Sequence, residues 1–261
     1  MEIDFFKYQG TGNDFIILDN RIGTYTDLSP KQIEFLCHRR FGIGADGLML
    51  LNNKVGYDFE MVYYNADGNL GSMCGNGGRC MIRFAKDIGL DKNSFSFLAT
   101  DGEHKGEIDA HNIVRLKMQD VTNVEYHSDY SVLNTGSPHY IKFSTGVRTM
   151  DIFNIGKDIR FSDTFKEDGI NVNFVETIAP NSVYMRTYER GVEDETFSCG
   201  TGVTAAALMS ASANSGFNKV SVQTNGGLLH VEFNKIDEKT FNDIYLCGPA
   251  EFVFKGTINL L

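Results

Sequence analysis

The stretch Ser72–Cys80, SMCGNGGRC, has a counterpart at Phe197–Ala205, FSCGTGVTA, at an offset of 125 residues. Each stretch places Cys-Gly-polar-Gly directly before a run that favours a helix. The glycines let the backbone turn sharply and approach a ligand closely. The repeated motif therefore predicts two equivalent helix N-termini, each with a cysteine at its start, Cys74 and Cys199.

Other segments fall into register with these two motifs, which indicates an internal repeat. The stretch YQGTGNDFII matches VLNTGSPHYI at an offset of 124 residues, and EMVYYNADGNLGSMCGNG matches VYMRTYERGVEDETFSCGTG. The sequence therefore predicts two copies of one α+β unit, in residues 1–120 and 121–247. A last strand, within residues 248–261, is expected to return to the first copy.

Local signals favour many strands and few helices. Short runs of β-branched and aromatic residues alternate with Gly, Asn and Asp turns, as in DFIILDN, NVNFVETI and VSVQTNGGLLHVEF. Three helices are predicted. One begins in LSPKQIEFLCHRR with Ser29 as its cap and Pro30 as its first residue. The others lie in GRCMIRFAKDIGL, ended by Gly89, and in GVTAAALMSASANSG, ended by Asn214 and Gly216.

Length, composition and charge bound the class of protein. With 261 residues, 42% of them hydrophobic, the chain is long enough for two domains with sizeable cores. The net charge of -10 argues against nucleic acid and anionic membrane as partners. No apolar run approaches the ~20 residues of a membrane span, and the N-terminal MEIDFFKYQG lacks the apolar segment of a signal peptide. We expect a cytoplasmic protein.

The five cysteines fit neither a secreted disulfide framework nor a zinc module, because their number is odd and no CxxC occurs. No metal site is predicted. Cys37, Cys80 and Cys247 lie in runs typical of helices or strands, and we expect them to be small apolar core residues.

The residues after Cys74 and Cys199 predict a site for an amino-acid carboxylate. Unpaired backbone N–H groups at a helix N-terminus bind such a group, and the same field favours thiolate over thiol. With an α-carbon between the two sulfurs, one thiolate removes the α-proton while the opposite thiol delivers a proton to the other face. This inversion needs no cofactor, and no phosphate-binding loop for pyridoxal phosphate accompanies the lysines.

These residues give the chain a close resemblance to the diaminopimelate epimerase family. The resemblance covers both halves, through GTGNDF, GIGAD, NADG, MCGNGGRC, GSPH, NVNFVE, YERG, SCGTG and GPAEFVFKG. It implies interconversion of LL- and meso-2,6-diaminopimelate without pyridoxal phosphate, in lysine and peptidoglycan-precursor biosynthesis. It also implies an α+β fold of two pseudo-symmetric α/β lobes from an internal duplication. Each lobe would be mostly β-sheet wrapped around a central helix, with the active site at the lobe interface, and a homodimer is the suggested assembly.

The resemblance assigns roles to individual side chains. Cys74 and Cys199 are the acid/base pair, with His139 beside Cys74 and Glu189 beside Cys199 to set their protonation. Arg190 offers a two-pronged donor for the distal carboxylate of the substrate. The full set of implied substrate contacts is Asn13, Asn65, Gly75, Asn76, Asn173, Glu189, Arg190, Gly200 and Thr201.

Three departures and three alternatives stay open at this point. The family often has Gln at the position of Gly47 and Asn at the position of Ser137, and the segment RGVEDETFS before Cys199 is one residue longer than the commonest family form. These departures concern substrate affinity more than reaction type. A proline or hydroxyproline racemase would carry His at the position of Asn76 and lack GTGNDF and YERG. A related isomerase that uses a carboxylic acid would lack the thiol pair. A non-catalytic amino-acid-binding module would bind the ligand without exchanging its α-proton.

Overall fold

A computed structural model describes residues 1–71, 73–212 and 215–260. Contacts within the chain divide it into two units, one formed by Met1–Leu116 with Pro249–Leu261 and the other by Lys117–Gly248. Both units are mixed α/β and mostly sheet, with few helices, which confirms the predicted class.

The elements are, in chain order, β1 (Glu2–Gly10), β2 (Asn13–Asp19), α1 (Pro30–Cys37), β3 (Gly47–Asn52), β4 (Phe59–Asn65), α2 (Gly75–Asp87), β5 (Ser94–Ala99), β6 (Gly102–Ile108), β7 (Ile113–Lys117), β8 (Val124–Tyr126), β9 (Ser131–Asn134), β10 (Pro138–Phe143), a 3-10 turn (Val147–Thr149), α3 (Ile152–Arg160), β11 (Asn171–Ala179), β12 (Ser182–Glu189), β13 (Asp194–Thr196), α4 (Gly200–Met209), β14 (Gly216–Thr224), β15 (Gly227–Lys235), β16 (Phe241–Pro249) and β17 (Glu251–Asn259).

The first unit orders its strands β17-β1-β2-β3-β4-β5-β6-β7. The pairs β2–β3 and β4–β5 are parallel and the others antiparallel. Strand β17 pairs with β1 along its length, from Gln9 opposite Glu251 to Glu2 opposite Asn259. Beyond them, the backbones of Met1 and Leu260 exchange two hydrogen bonds of 2.8 Å. The last strand therefore completes the sheet at the edge formed by the first.

The second unit orders its strands β8-β9-β10-β11-β12-β14-β15-β16, with β13 paired to the end of β12. Here β10–β11 and β12–β14 are parallel and the others antiparallel. From β9 onward this is the same succession of pairings as from β1 onward in the first unit. The helices also correspond, because α1 and α3 precede the third strand of each succession, and α2 and α4 precede the fifth. One supersecondary plan therefore occurs twice.

A helix at the centre of each sheet starts at one of the repeated motifs. Helix α2 packs against β1, β2, β3, β6 and β17, and α4 packs against strands from β9 to β15. The segments Gly75–Ile82 and Gly202–Leu208 are buried. A helix surrounded by sheet must be apolar or small all round, which explains the run of glycine and alanine in α4.

The helix ends follow the predicted signals only in part. Ser29 caps α1 through a capping box with Gln32, as expected. Helix α4 ends at Met209, earlier than predicted, and Gly216 begins β14 instead; Asn214 lies outside the described residues. Helix α3 was not predicted. Among residues 1–71, 73–212 and 215–260, no helix has both the length and the apolar character that crossing a bilayer requires.

Candidate active site

Cys74 and Cys199 occupy corresponding positions in the two units, as the N-cap residues of α2 and α4. Both have extended backbone, with φ -92° and ψ 133° at Cys74 and φ -108° and ψ 113° at Cys199, and neither sulfur caps its helix. The first intrahelical bonds to these caps come from Gly78, at 2.7 Å, and from Val203, at 2.8 Å. The N–H groups of the preceding three residues therefore have no partner within the helix and can bind an anion.

Asn13 holds the first thiol. Its amide oxygen lies 3.5 Å from Cys74 Sγ and accepts at 3.3 Å from the side chain of Asn76. Its amide nitrogen donates to Asp46 at 2.6 Å, and Asp46 in turn binds Arg39 at 2.6 Å. Because a carboxylate only accepts, this bond fixes the orientation of the Asn13 amide. The predicted residues Asn13, Cys74 and Asn76 are thus brought together.

The buried guanidinium of Arg79 lies next to the N-terminus of α2. The side chain of Arg79 has no solvent exposure, and it donates to Gly75 O at 3.3 Å, Thr11 Oγ1 at 3.3 Å and Asn76 Oδ1 at 3.0 Å. The last bond directs the amide nitrogen of Asn76 towards Asn13. Arg79 was not predicted as a site residue, although the motif MCGNGGRC contains it.

The second thiol belongs to a chain of polar side chains within the second unit. Cys199 Sγ lies 3.4 Å from Thr201 Oγ1, and His139 Nε2 lies 2.9 Å from the same hydroxyl. His139 Nδ1 lies 3.1 Å from the amide nitrogen of Asn173, whose oxygen accepts at 2.8 Å from Thr187. Within its own unit, His139 therefore connects to Cys199 through Thr201. The expected proximity of His139 to Cys74 stays a prediction.

The hydrogen bonds define the tautomer of His139. The amide nitrogen of Asn173 also lies 3.0 Å from the carbonyl oxygen of Tyr140 and 3.2 Å from that of Asn171. Its two hydrogens are shared among these two oxygens and His139 Nδ1, all of them acceptors, so this amide cannot be reversed. Nδ1 is therefore the acceptor, and the ring proton lies on Nε2. Burial, with a smaller contribution from the positive charge of Arg190, lowers the pKa of His139 to about 3, and these two effects outweigh an opposing contribution from the hydrogen bond to Asn173. The imidazole is neutral at ordinary pH.

Gly202 allows α4 to approach this chain. A Cβ atom there would lie 2.6 Å from Asn173 Oδ1 and 3.3 Å from His139 Cε1. Any side chain at this position would displace the pair that supports the imidazole. The second glycine of CGTG is therefore required by packing.

Arg190 directly follows β12 and has three neighbours, Asp168, Ser137 and Asn171, of which only Ser137 was named from the sequence. Its guanidinium donates to Asp168 O at 2.8 Å and to Ser137 Oγ at 3.4 Å. Asn171 accepts from the Arg190 backbone at 2.9 Å and donates to Ser137 Oγ at 2.8 Å. The prediction selected Asn173 from NVNF, but Asn173 is fully buried beside His139, whereas Asn171 links Ser137 to Arg190. The alternation of β11 places both asparagines on one face of the strand, but it does not select between them.

Glu189 and Asn65 end the corresponding strands β12 and β4. Glu189 accepts from the Thr196 hydroxyl at 2.7 Å. Asn65 pairs with Gly47 and is exposed. A Cβ at Gly47 would lie 2.4 Å from the Tyr63 ring, so Tyr63 fills the space that a side chain at position 47 would need.

The other three cysteines are buried in the core, as expected, and all five are thiols. Burial raises the pKa of Cys37 and of Cys80 to about 12, so neither is a thiolate at neutral pH.

One group within the described part of the chain has the composition of a metal site: ligand atoms of His230, Glu232 and Cys247 lie within 4.8 Å of one another. Glu232 already binds Lys219 at 3.1 Å and lies 3.5 Å from His230. Because the lysine ammonium would repel a metal cation at this carboxylate, the group is better described as an ion-pair cluster.

Comparisons with known proteins identify the family of this chain. A family profile described as diaminopimelate epimerase matches residues 5–124 and 131–253. The diaminopimelate epimerase of Flavobacterium psychrophilum is 50% identical over 254 residues, covering 97% of this chain and 99% of that protein.

Solved structures show the same fold at low identity. A phenazine biosynthesis protein of the PhzF family from Bacillus anthracis superposes with a TM-score of 0.75 at 14% identity, over 100% of both chains. A probable proline racemase from Agrobacterium radiobacter K84 superposes with a TM-score of 0.67 at 13% identity, over 99% of this chain and 93% of that chain. The fold alone thus does not separate these activities, but the family profile and the relative with half its residues identical do, and the chain belongs to the diaminopimelate epimerase family.

Proposed function

We propose that this protein is an isomerase that interconverts LL- and meso-2,6-diaminopimelate by proton transfer at the α-carbon, with Cys74 and Cys199 as the acid/base pair. The observation that carries the proposal is the matched placement of these two thiols at the N-termini of α2 and α4. The reaction requires no pyridoxal phosphate. Its metabolic place is lysine and peptidoglycan-precursor biosynthesis.

In this mechanism the substrate carboxylate binds the backbone N–H groups that follow the two cysteines, Gly75, Asn76, Gly200 and Thr201. One sulfur, as thiolate, takes the α-proton and becomes a thiol. The electron pair of the broken C–H bond delocalises towards the carboxylate, where the helix N-termini stabilise the charge. The other thiol then gives its proton to the opposite face and becomes a thiolate. Each turnover exchanges the two roles, and the reverse reaction restores them.

Recognition of the distal end distinguishes diaminopimelate from a smaller amino acid. We assign the distal carboxylate to Arg190, whose guanidinium can form two parallel bonds to it, with a hydrogen bond from Asn65. The predicted contact from Asn173 is not retained, because this amide is fully buried and bonded to Tyr140 O and His139. Asn171 is added because it positions Arg190 and Ser137. Glu189 and His139 are assigned to setting thiol protonation, and Asn13 to the reacting end. A cytoplasmic homodimer is part of the proposal.

The test is proton NMR of LL-2,6-diaminopimelate with the reduced protein in D2O and no added cofactor, with L-proline in a parallel sample. We expect loss of the α-proton signal and appearance of the meso isomer with diaminopimelate alone. Racemisation of proline instead would retain the thiol pair and overturn the distal assignment. Absence of exchange in both samples, with a bound ligand, would indicate a binding module.

A further inference from the structure

The two thiols face hydrogen-bonding groups of opposite character. Cys74 Sγ contacts the amide oxygen of Asn13, which only accepts and whose orientation is fixed by the bond to Asp46. Cys199 Sγ contacts the hydroxyl of Thr201, which can donate or accept. Whether this hydroxyl donates or accepts therefore determines whether the thiolate or the thiol of Cys199 is favoured.

His139 decides the state of the hydroxyl. Its ring proton lies on Nε2, because Nδ1 accepts from Asn173, and Nε2 lies 2.9 Å from Thr201 Oγ1. The imidazole donates to the hydroxyl oxygen, so the hydroxyl proton is available for the sulfur of Cys199 at 3.4 Å. Neutral His139 does not remove the proton from the Cys199 thiol. It orients the Thr201 hydroxyl, which stabilises the thiolate.

We propose that Thr201 is a positioning residue for the epimerisation, whose side-chain hydroxyl, oriented by neutral His139, donates to Cys199 Sγ and stabilises the thiolate of Cys199. The catalytic consequence rests on the proposed function, but the state of the thiol can be measured without substrate. A hydrogen bond to the charged form of a group favours that form, and donors to charged groups give the stronger bonds.

The direction of the hydrogen bond from His139 to Thr201 does not change across ordinary pH. His139 is fully buried and its pKa is far below neutrality, so its direction of donation does not reverse. The positive charge of Arg190, whose guanidinium lies beside Ser137, also lowers the pKa of His139. The carboxylate of Glu189 ends β12, where it accepts from Thr196. The corresponding position in α2 is Asn76, whose amide nitrogen donates to Asn13 Oδ1 at 3.3 Å. The matching position of the first unit thus carries an amide in place of a hydroxyl.

The experiment measures the pH dependence of iodoacetamide alkylation at Cys199 and Cys74 separately, by peptide mass spectrometry of the reduced full-length protein. The variants are Thr201→Val, which keeps the shape and removes the hydroxyl, and Thr201→Ser, which keeps the hydroxyl. The matched control is Thr204→Val, because the Thr204 hydroxyl lies in the same helix but bonds Gly200 O at 3.0 Å.

We expect the alkylation midpoint of Cys199 to rise by about one pH unit or more in Thr201→Val, which is at least a tenfold loss of thiolate below the midpoint. Thr201→Ser and Thr204→Val should keep the wild-type midpoint, and Cys74 should not change in any variant. The acid limb of kcat/KM for diaminopimelate should move with Cys199. An unchanged Cys199 midpoint in Thr201→Val would overturn the proposal.

One measurement does not depend on the folding of a variant. In the wild-type protein the Cys199 midpoint should lie below the ordinary thiol value of about 8.5, and a midpoint at or above that value would also overturn the proposal. Because alkylation needs no substrate, it tests the hydrogen bond to Cys199 independently of the proposed function. If the Cys199 midpoint is shifted in a protein that does not epimerise diaminopimelate, the hydrogen bond is supported and the proposed reaction is rejected.

Discussion

At the scale of single residues, burial decides the chemistry of His139. The motif GSPH identified the residue, but the sequence could not show that the ring is enclosed and neutral. The reason is that its partner Asn173 comes 34 residues later and reaches the ring only through the parallel pairing of β10 with β11. The same long-range register made Asn173 and Asn171 indistinguishable in the sequence. The positions of Cys74 and Cys199 at two helix starts could be predicted because their setting is local.

The buried imidazole predicts an acid-sensitive fold. The pKa of His139 lies below its ordinary value of 6.5, so below pH 6.5 the unfolded chain takes up a proton that the folded chain does not. The free energy of unfolding should therefore fall as the pH falls, by up to about 1.4 kcal/mol per pH unit from this residue.

Urea unfolding at pH 7 and pH 5 measures this effect. His139→Gln, which cannot be protonated, should lose less stability between the two pH values than the wild type. The same pH dependence in both proteins would show that His139 is protonated in the folded state or does not contribute.

At the scale of elements, the second glycines of the two motifs, Gly77 and Gly202, differ in how tightly their surroundings are packed. Gly202→Ala places a Cβ against the fixed amide of Asn173, whereas Gly77→Ala meets Met49 Sδ at 3.2 Å and Met61 Cε at 3.5 Å, which can move. We expect Gly202→Ala to destabilise by about 1–3 kcal/mol, as overpacked cores do. Gly77→Ala should cost less, since alanine also favours the helix.

Chemical unfolding of the two alanine variants tests this difference. Equal stabilities would mean that α4 shifts to accept the methyl group. In that event the bonds between Asn173 and His139 would not depend on the position of the helix.

Helix prediction succeeded where local signals were strong. The start of α1 is marked by strong local signals, the cap Ser29, its capping-box partner Gln32 and the N-terminal Pro30. Helix α3, in contrast, contains glycine and three isoleucines, which favour helices weakly. Its start was still marked, because Asp151 caps Asn154 at 3.2 Å. The repeat offered a second signal, since α3 corresponds to α1.

At the scale of the whole molecule, the duplicated plan was predictable because turns and helix starts keep their glycines, while core side chains exchange without changing the fold. The parallel and antiparallel order of the strands was not predictable, since it depends on pairings between distant segments. Nor could the sequence show that the supporting side chains differ between the copies, with Asn13 beside one thiol and Thr201 beside the other.

In the proposed mechanism, inversion requires both halves of the chain, because each supplies one thiol. Cys74→Ala and Cys199→Ala should each abolish epimerisation of diaminopimelate, and the double variant should be scarcely less active than either single one, since the pair acts as a unit. The NMR assay in D2O measures this, with Cys37→Ala as the control that removes a buried core thiol. Full activity in either single variant would exclude the two-base mechanism.

The pairing of β17 with β1 has a consequence for synthesis on the ribosome. All strands of the second unit emerge before β17 does. The first unit is begun earliest, yet its β1 edge stays open until β17 has been made. An open edge invites pairing with other chains, so the nascent protein is most exposed to misassembly at its oldest end.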